Sequence, residues 1–135
     1  MALEQTCAII KPGAVKAQHT GAIIELIERN GFQIVRMEKR ALSRELAERF
    51  YHVHRERSFF SELVDDMTGG PVIAMILEKE SAIADWRQLM GATNPAQATV
   101  GTLRRMFGTS IGHNATHGSD AAETFAHEKA TLFPE

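Results

Sequence analysis

Cysteine is almost absent from this chain. Cys7 is the single one in 135 residues, so no internal disulfide can form, which fits a reducing compartment. It sits in the apolar run TCAII and reads as a small buried residue rather than a nucleophile. Long apolar stretches are missing as well. No run approaches the ~20 residues needed to span a bilayer. The opening MALEQTCAIIK carries an acid at Glu4 and no basic lead, so it makes a poor signal peptide. The expectation is a soluble, cytoplasmic protein with no membrane partner. There is no basic excess either. With 15 Lys and Arg against 17 Asp and Glu, the formal net charge is −2, which gives no sign of a dedicated nucleic-acid surface. The glycine loops GxxxxGK[ST] and GxGxxG are lacking, and so are HExxH and any cysteine cluster. A phosphate site in this chain must therefore be built from side chains, and the spacings offer no protein-bound metal site.

What is present is a globular composition, 44% hydrophobic, on a length that suits one domain. Residues 5–10 (QTCAII), bounded by Lys11-Pro12-Gly13, read as a buried strand. Residues 20–30 place Ile23, Ile24 and Ile27 at helical spacing, with Thr20 as a candidate cap and Gly31 past the end. A second strand covers 32–41. Ser43 then caps a helix with Leu46, Ala47, Phe50, Tyr51 and His54 on one face, which would make HVH at 52–54 helical. Phe60, Leu63, Val64 and Met67 mark another short helix, stopped by Gly69-Gly70-Pro71. The run VIAMIL (72–77) reads as a strand, Ser81 to Met90 as a helix closed by Gly91, and 92–98 as loop. A short helix covers 100–106, and a loop with a short strand just before His117 leads to a last helix from about Ser119 to Leu132. Strands alternating with helices in this order imply an α+β arrangement of a sheet with helices packed on it.

The stretch HNATHGSD (113–120) holds the chemistry. His113 and His117 share a face only if the segment is helical. The flanking Gly112 and Gly118, with weak helix formers between, oppose that. Two other readings stay open, a polar loop and a reactive histidine beside a helix start. Free N–H groups at such a start, on the histidine side, favour an anion. Asp120 and Glu123 have the spacing of a capping pair. In the last helix Ala121, Phe125, Glu128 and Leu132 fall at i, i+4, i+7 and i+11. Glu128 thus lies in an apolar stripe, where a lone carboxylate is costly. It needs a partner, either the imidazole of His117 or a nearby Lys or Arg. A carboxylate on one ring nitrogen would fix the tautomer and leave the other as nucleophile. Arg87, Arg104, Thr93 and Lys11 are candidates for holding phosphate, and Phe59 offers a flat face to a base.

The segment Asn114-Ala115-Thr116-His117-Gly118-Ser119-Asp120 resembles the N-x-x-H-G-S-D signature of the nucleoside diphosphate kinase family. So do AIIKP (8–12), Tyr51-His52-x-His54, Phe59-Phe60, GGPV (69–72), LMGATNP (89–95) and GTLR (101–104), in that order along the chain. The resemblance covers residues 1–135 as one kinase domain. It implies a ferredoxin-like α/β sandwich with a four-stranded antiparallel sheet. It also implies ping-pong exchange of the γ-phosphate between ATP or other nucleoside triphosphates and nucleoside diphosphates. His117 matches the phosphorylated nucleophile and Glu128 its acidic partner. Lys11, Arg87, Thr93, Arg104 and Asn114 match residues that bind phosphates and sugar, Phe59 the aromatic under the base, and Tyr51 a neighbour of the histidine. Gly118, Ser119 and Asp120 match the support of the active turn. Mg²⁺ is expected to arrive on the nucleotide phosphates. Stacking implies broad base tolerance, and the family's habit implies a homo-oligomer, a tetramer or hexamer built from dimers. Gly13, Gly69, Lys79 and Ala121 depart from the residues usual in the family.

Overall fold

In the computed structural model, which describes residues 2–134, four strands form one sheet in the order β2-β3-β1-β4. They are β1 (Glu4–Ile10), β2 (Gln33–Arg40), β3 (Val72–Lys79) and β4 (Thr116–Gly118). Every neighbouring pair is antiparallel. Seven helices pack on the sheet: α1 (Pro12–Lys16), α2 (Thr20–Arg29), α3 (Arg44–Phe50), α4 (Phe60–Met67), α5 (Ala82–Met90), α6 (Leu103–Phe107) and α7 (Ala122–Leu132). The result is the α+β arrangement that the residue pattern implies, in the ferredoxin-like form that the family resemblance implies.

The two-residue period of β1 divides the core. Ala8 and Ile10 point to a cluster with Ile23 and Ile27 of α2 and Trp86 of α5. Cys7 and Ile9 point the other way, to Ala47 and Phe50 of α3, Val64 and Met67 of α4 and Leu132 of α7. β1 and β3 are therefore buried on both faces, which is why they read as continuous apolar runs. Each fully buried aliphatic side chain among them contributes on the order of 1.5–3 kcal/mol. β2, at the sheet edge, alternates between exposed and half-buried positions instead. Its register against β3 shifts between Ile34 and Arg36, a bulge at Val35. No described helix is long and apolar enough to cross a membrane.

Several boundaries differ from the sequence expectation, each for a local reason. Lys11-Pro12-Gly13 does more than end a strand. Pro12 sits at the first position of α1, where its missing N–H costs nothing. α3 ends at Phe50, and His52–His54 form a 3₁₀ turn, so Tyr51 and His54 are not on one helical face. Thr20 lies inside α2, whose cap position is His19, with no side-chain cap. Ser81 precedes α5 in a left-handed conformation, φ 55°, and does not cap it. The Ile83 N–H is instead held by Glu4 Oε1 at 2.9 Å. The helix read at 100–106 begins at Leu103, after Thr102. β4 contains His117 rather than stopping short of it. The final helix starts at Ala122, and no Asp120–Glu123 capping pair forms.

Lys79, unusual for the resemblance, has a structural use. Its ammonium lies 2.8 Å from Asp85, 3.4 Å from the Asn30 carbonyl at the end of α2, and 5.1 Å from the centre of the Phe32 ring. The charge thus complements a helix C-terminus and an aromatic face together. Replacing Lys79 by Gly should lower unfolding free energy by about 1–2 kcal/mol. Urea titration measures this, and an unchanged midpoint would show that these contacts are idle.

Candidate active site

β4 is three residues long, and its register against β1 sets the site: Ala8 faces Gly118, Ile9 faces His117 and Ile10 faces Thr116. Cross-strand partners project to one face. His117 therefore shares the Ile9 side of the sheet, toward α3 and α7. Its ring meets Phe50 edge-on at 5.0 Å and Tyr51 at 5.9 Å. Nε2 lies 2.8 Å from Glu128 Oε2, and Ser119 Oγ donates to Oε1 of the same carboxylate at 2.7 Å. Ser119 Oγ in turn accepts from the Cys7 backbone N–H at 3.1 Å. Glu128 is buried, while the His117 side chain keeps 17% of its surface accessible. The alternative partner for Glu128, a lysine or arginine, is not the one the structure supplies. Ser119 is fully buried, so it braces the carboxylate and does not start the helix as its position in the sequence first indicates.

The backbone before the histidine is strained. Ala115 has φ 75°, and Thr116 N donates to Asn114 O at 2.9 Å across it, closing a three-residue turn. A side-chain-bearing residue in that conformation costs on the order of 1–3 kcal/mol. The Lys11 N–H, donating to Ala115 O at 2.8 Å, and the Trp86 Nε1–H, donating to His117 O at 3.1 Å, hold it in place. Gly118 is needed for space. A β-carbon there would stand 2.3 Å from Trp86 Cδ1 and 2.7 Å from Met90 Cε.

His117 opens on a cavity of about 660 Å³, inside the ~300–1,000 Å³ range of small-molecule sites. Lys11, Tyr51, Phe59, Arg87, Thr93, Arg104, Asn114, Gly118 and Asp120 all line it. Glu128 and Ser119 stand behind the imidazole. Lys11 Nζ donates to Asn114 Oδ1 at 2.9 Å, and Asn114 Nδ2 donates to the Thr93 carbonyl at 3.1 Å. This ties the end of β1, the segment before β4 and the segment after α5 together. Arg104 is anchored by Nη1 to Gly91 O (3.1 Å) and Nη2 to Thr116 O (3.0 Å), while its Nε is buried without a partner. Arg87 is paired with Asp120. That contact draws Asp120 away from the α7 cap, and both side chains are exposed. Sequence reasoning missed His54, Glu62, Leu63 and Ile111 in the lining, and the Trp86 bond to the histidine backbone. His54 follows Tyr51 by one 3₁₀ turn, and Glu62 and Leu63 follow Phe59 by about one helical turn, so spacing from named residues was the available signal.

The electrostatics favour an anion. Burial lowers the Lys11 ammonium from the ordinary 10.5 to about 8; Asp66 offsets this in part, and Arg104 adds to it. Burial also lowers the Arg104 guanidinium, with Arg87 as the next cause. These cations oppose one another, and a polyphosphate between them would relieve that repulsion. Burial pushes the Tyr51 hydroxyl far up, and Glu128 and Asp66 add to it, so it stays protonated. Burial and then Glu128 likewise raise the Cys7 thiol, which leaves it inert. Among the described residues, no group of three or more His, Cys, Asp or Glu side chains gathers as a metal site.

An imidazole held at one nitrogen, with cations on the rim of an open cavity, is the equipment of an enzyme that moves phosphoryl groups. Comparison with known proteins narrows this. The family model for nucleoside diphosphate kinase matches residues 4–135. A nucleoside diphosphate kinase of Pelobacter propionicus is 59% identical over 131 residues, covering 97% of this chain and 96% of the relative. The solved nucleoside diphosphate kinase of Aquifex aeolicus superposes with TM-score 0.96 at 40% identity, covering 98% of this chain and 96% of the other. A halophilic nucleoside diphosphate kinase from Halobacterium salinarum, solved in complex with CDP, has TM-score 0.94 at 36% identity, over 99% and 90% of the two chains. The chain belongs to the nucleoside diphosphate kinase family and is a nucleotide-dependent phosphotransferase.

The packing of Gly118 against Trp86 gives a direct test. Gly118→Ala should destabilise the protein by about 1–3 kcal/mol through overpacking at the core of the site. Thermal unfolding measures it, and a wild-type midpoint would show that Trp86 yields freely.

Proposed function

We propose that His117 is the transient carrier of the phosphoryl group. The single observation that carries this reading is the 2.8 Å contact between its Nε2 and buried Glu128. With Nε2–H donated to the carboxylate, the lone pair of Nδ1 is the free one. Nδ1 attacks the γ-phosphorus of a nucleoside triphosphate, an N–P bond forms, and the bond to the bridging oxygen breaks to release the diphosphate. In the return half-reaction, a terminal oxygen of the acceptor diphosphate attacks the same phosphorus and the N–P bond breaks. Glu128 and Ser119 orient the ring throughout and stabilise the charge that develops on it.

Lys11, Arg87, Thr93, Arg104 and Asn114 hold phosphates and sugar in this reading, and Asp120 releases Arg87 when a phosphate takes its place. Phe59, 42% exposed at the cavity rim, stacks on the base, so bases of different kinds are accepted. Mg²⁺ comes bound to the nucleotide and supplies charge neutralisation at the phosphates. The cationic lining of the chain complements such a complex. A cytoplasmic enzyme fits these substrates, and residues 1–135 act as one unit. Exposed Val35 and Met37 on edge strand β2 support assembly of copies into a tetramer or hexamer.

Incubation with γ-labelled ATP and Mg²⁺, without acceptor, should leave acid-labile, alkali-stable label on the protein and none on His117→Ala. Undiminished exchange by that variant would overturn the assignment. Glu128→Ala removes a charged hydrogen bond worth about 1.5–3 kcal/mol, or roughly 10- to 150-fold in rate. Stopped-flow measurement of the phosphorylation step tests this, and a wild-type rate would make the carboxylate purely structural. The lowered Lys11 value predicts an alkaline limb. Its charged form binds anions and is lost as pH rises through about 8, so kcat/KM should fall above that pH. Folding stability moves oppositely. The unfolded lysine holds its proton up to 10.5, so the cost of burying this charge, full below about 8, is progressively relieved between about 8 and 10.5. A flat kcat/KM profile from pH 7 to 9.5 would remove Lys11 from binding.

A further inference from the structure

One carboxylate near the cavity is unused in the mechanism. Asp66 lies in the last turn of α4, and its side chain is only 11% exposed. Its Oδ1 accepts from His113 Nδ1 at 3.1 Å, while Oδ2 is buried without a hydrogen-bonding partner. Such a placement is costly unless something compensates it. Two features stand beside it. Glu62 and Leu63, one turn back on the same helix, line the cavity on the Phe59 side. His113 lies in the segment between α6 and β4, next to Gly112 and Asn114, which line the same cavity. That segment is closed on itself, since Thr109 N donates to His113 O at 2.8 Å and His113 N donates to Ser110 O at 3.1 Å. A hold on His113 is thus a hold on Asn114, whose Oδ1 receives Lys11 Nζ.

We propose that Asp66 is a positioning residue for nucleotide binding: through His113 it fixes the segment carrying Asn114. Resting on the nucleotide-site reading above, this assigns the pair a share of affinity rather than of chemistry. Besides Asp66, the Lys11 ammonium is acted on by Arg104 of α6, and Asp66 and Arg104 also act, in opposite directions, on the Tyr51 hydroxyl. Asp66 opposes the burial effect on Lys11, so losing its charge makes that ammonium easier to deprotonate.

The test uses the intact enzyme with ATP as donor, ADP as the binding probe, and the variants Asp66→Ala, Asp66→Asn, His113→Ala and the double alanine. The ADP dissociation constant and the acceptor KM should rise about three- to tenfold in each alanine variant, with kcat within about twofold. The double variant should be no worse than the singles, because one contact is lost once. Asp66→Asn should move the alkaline limb of kcat/KM to lower pH, and His113→Ala should leave it in place. Wild-type ADP binding in His113→Ala, fully additive losses, or an unmoved limb in Asp66→Asn would each overturn the proposal. If Asp66→Ala fails to fold, the other two single variants still decide it. Wild-type exchange and labelling of His117 are measured in the same series. Their failure defeats the site reading itself, whereas normal wild-type exchange with unaffected variants defeats only the role of Asp66.

Discussion

The site depends on one carboxylate placed where solvent cannot reach it. Glu128 stands in the apolar stripe of α7, and burial obliges it to find donors within the fold. It takes two, the hydroxyl of Ser119 and the ring of His117. Ser119 is in turn fastened to the backbone of β1. The histidine is thereby pinned in tautomer and direction by the same requirement that keeps a buried charge tolerable. A surface glutamate at this spacing would hold the ring far more loosely.

The remainder of the cavity shows the complementary imbalance. Lys11 is a buried cation and Arg104 a half-buried one, and the charged form of each is disfavoured by its surroundings, while Arg87 is held by an exposed acid. Strain at Ala115 and the tight seat of Gly118 on Trp86 belong to the same design. The backbone is forced into place so that β4 can present one side chain to an open cavity and seal the opposite face. Binding of a polyphosphate answers the electrostatic part of this tension. The strain and packing persist with or without it.

Much of this was readable from residue order. The apolar runs of β1 and β3 gave those strands, and the stripe of α7 gave the demand that Glu128 have a partner, whereas the division of the core between two faces came from the fold. The resemblance supplied the residues now seen around one cavity. The parts that were not readable depend on competition between distant groups. Asp120 and Glu123 have capping spacing, yet Arg87 on α5 takes Asp120. Ser119 looks like a helix-start residue, yet the carboxylate nine positions later takes its hydroxyl. Glu4 caps a helix 79 residues away. Asp66 and His113, 47 residues apart, carry no local signal at all. Lys79 departs from the usual residue, and only the fold shows the helix end, acid and ring that it serves.

The central claim is that Nε2 of His117 is committed to Glu128, which leaves Nδ1 to take the phosphoryl group. Phosphorus NMR of the phosphorylated protein, with chromatography of its alkaline digest against the two phosphohistidine standards, tests this most directly. The account predicts the Nδ1 isomer alone, on His117. The Nε2 isomer, or phosphate on any other residue, would contradict it.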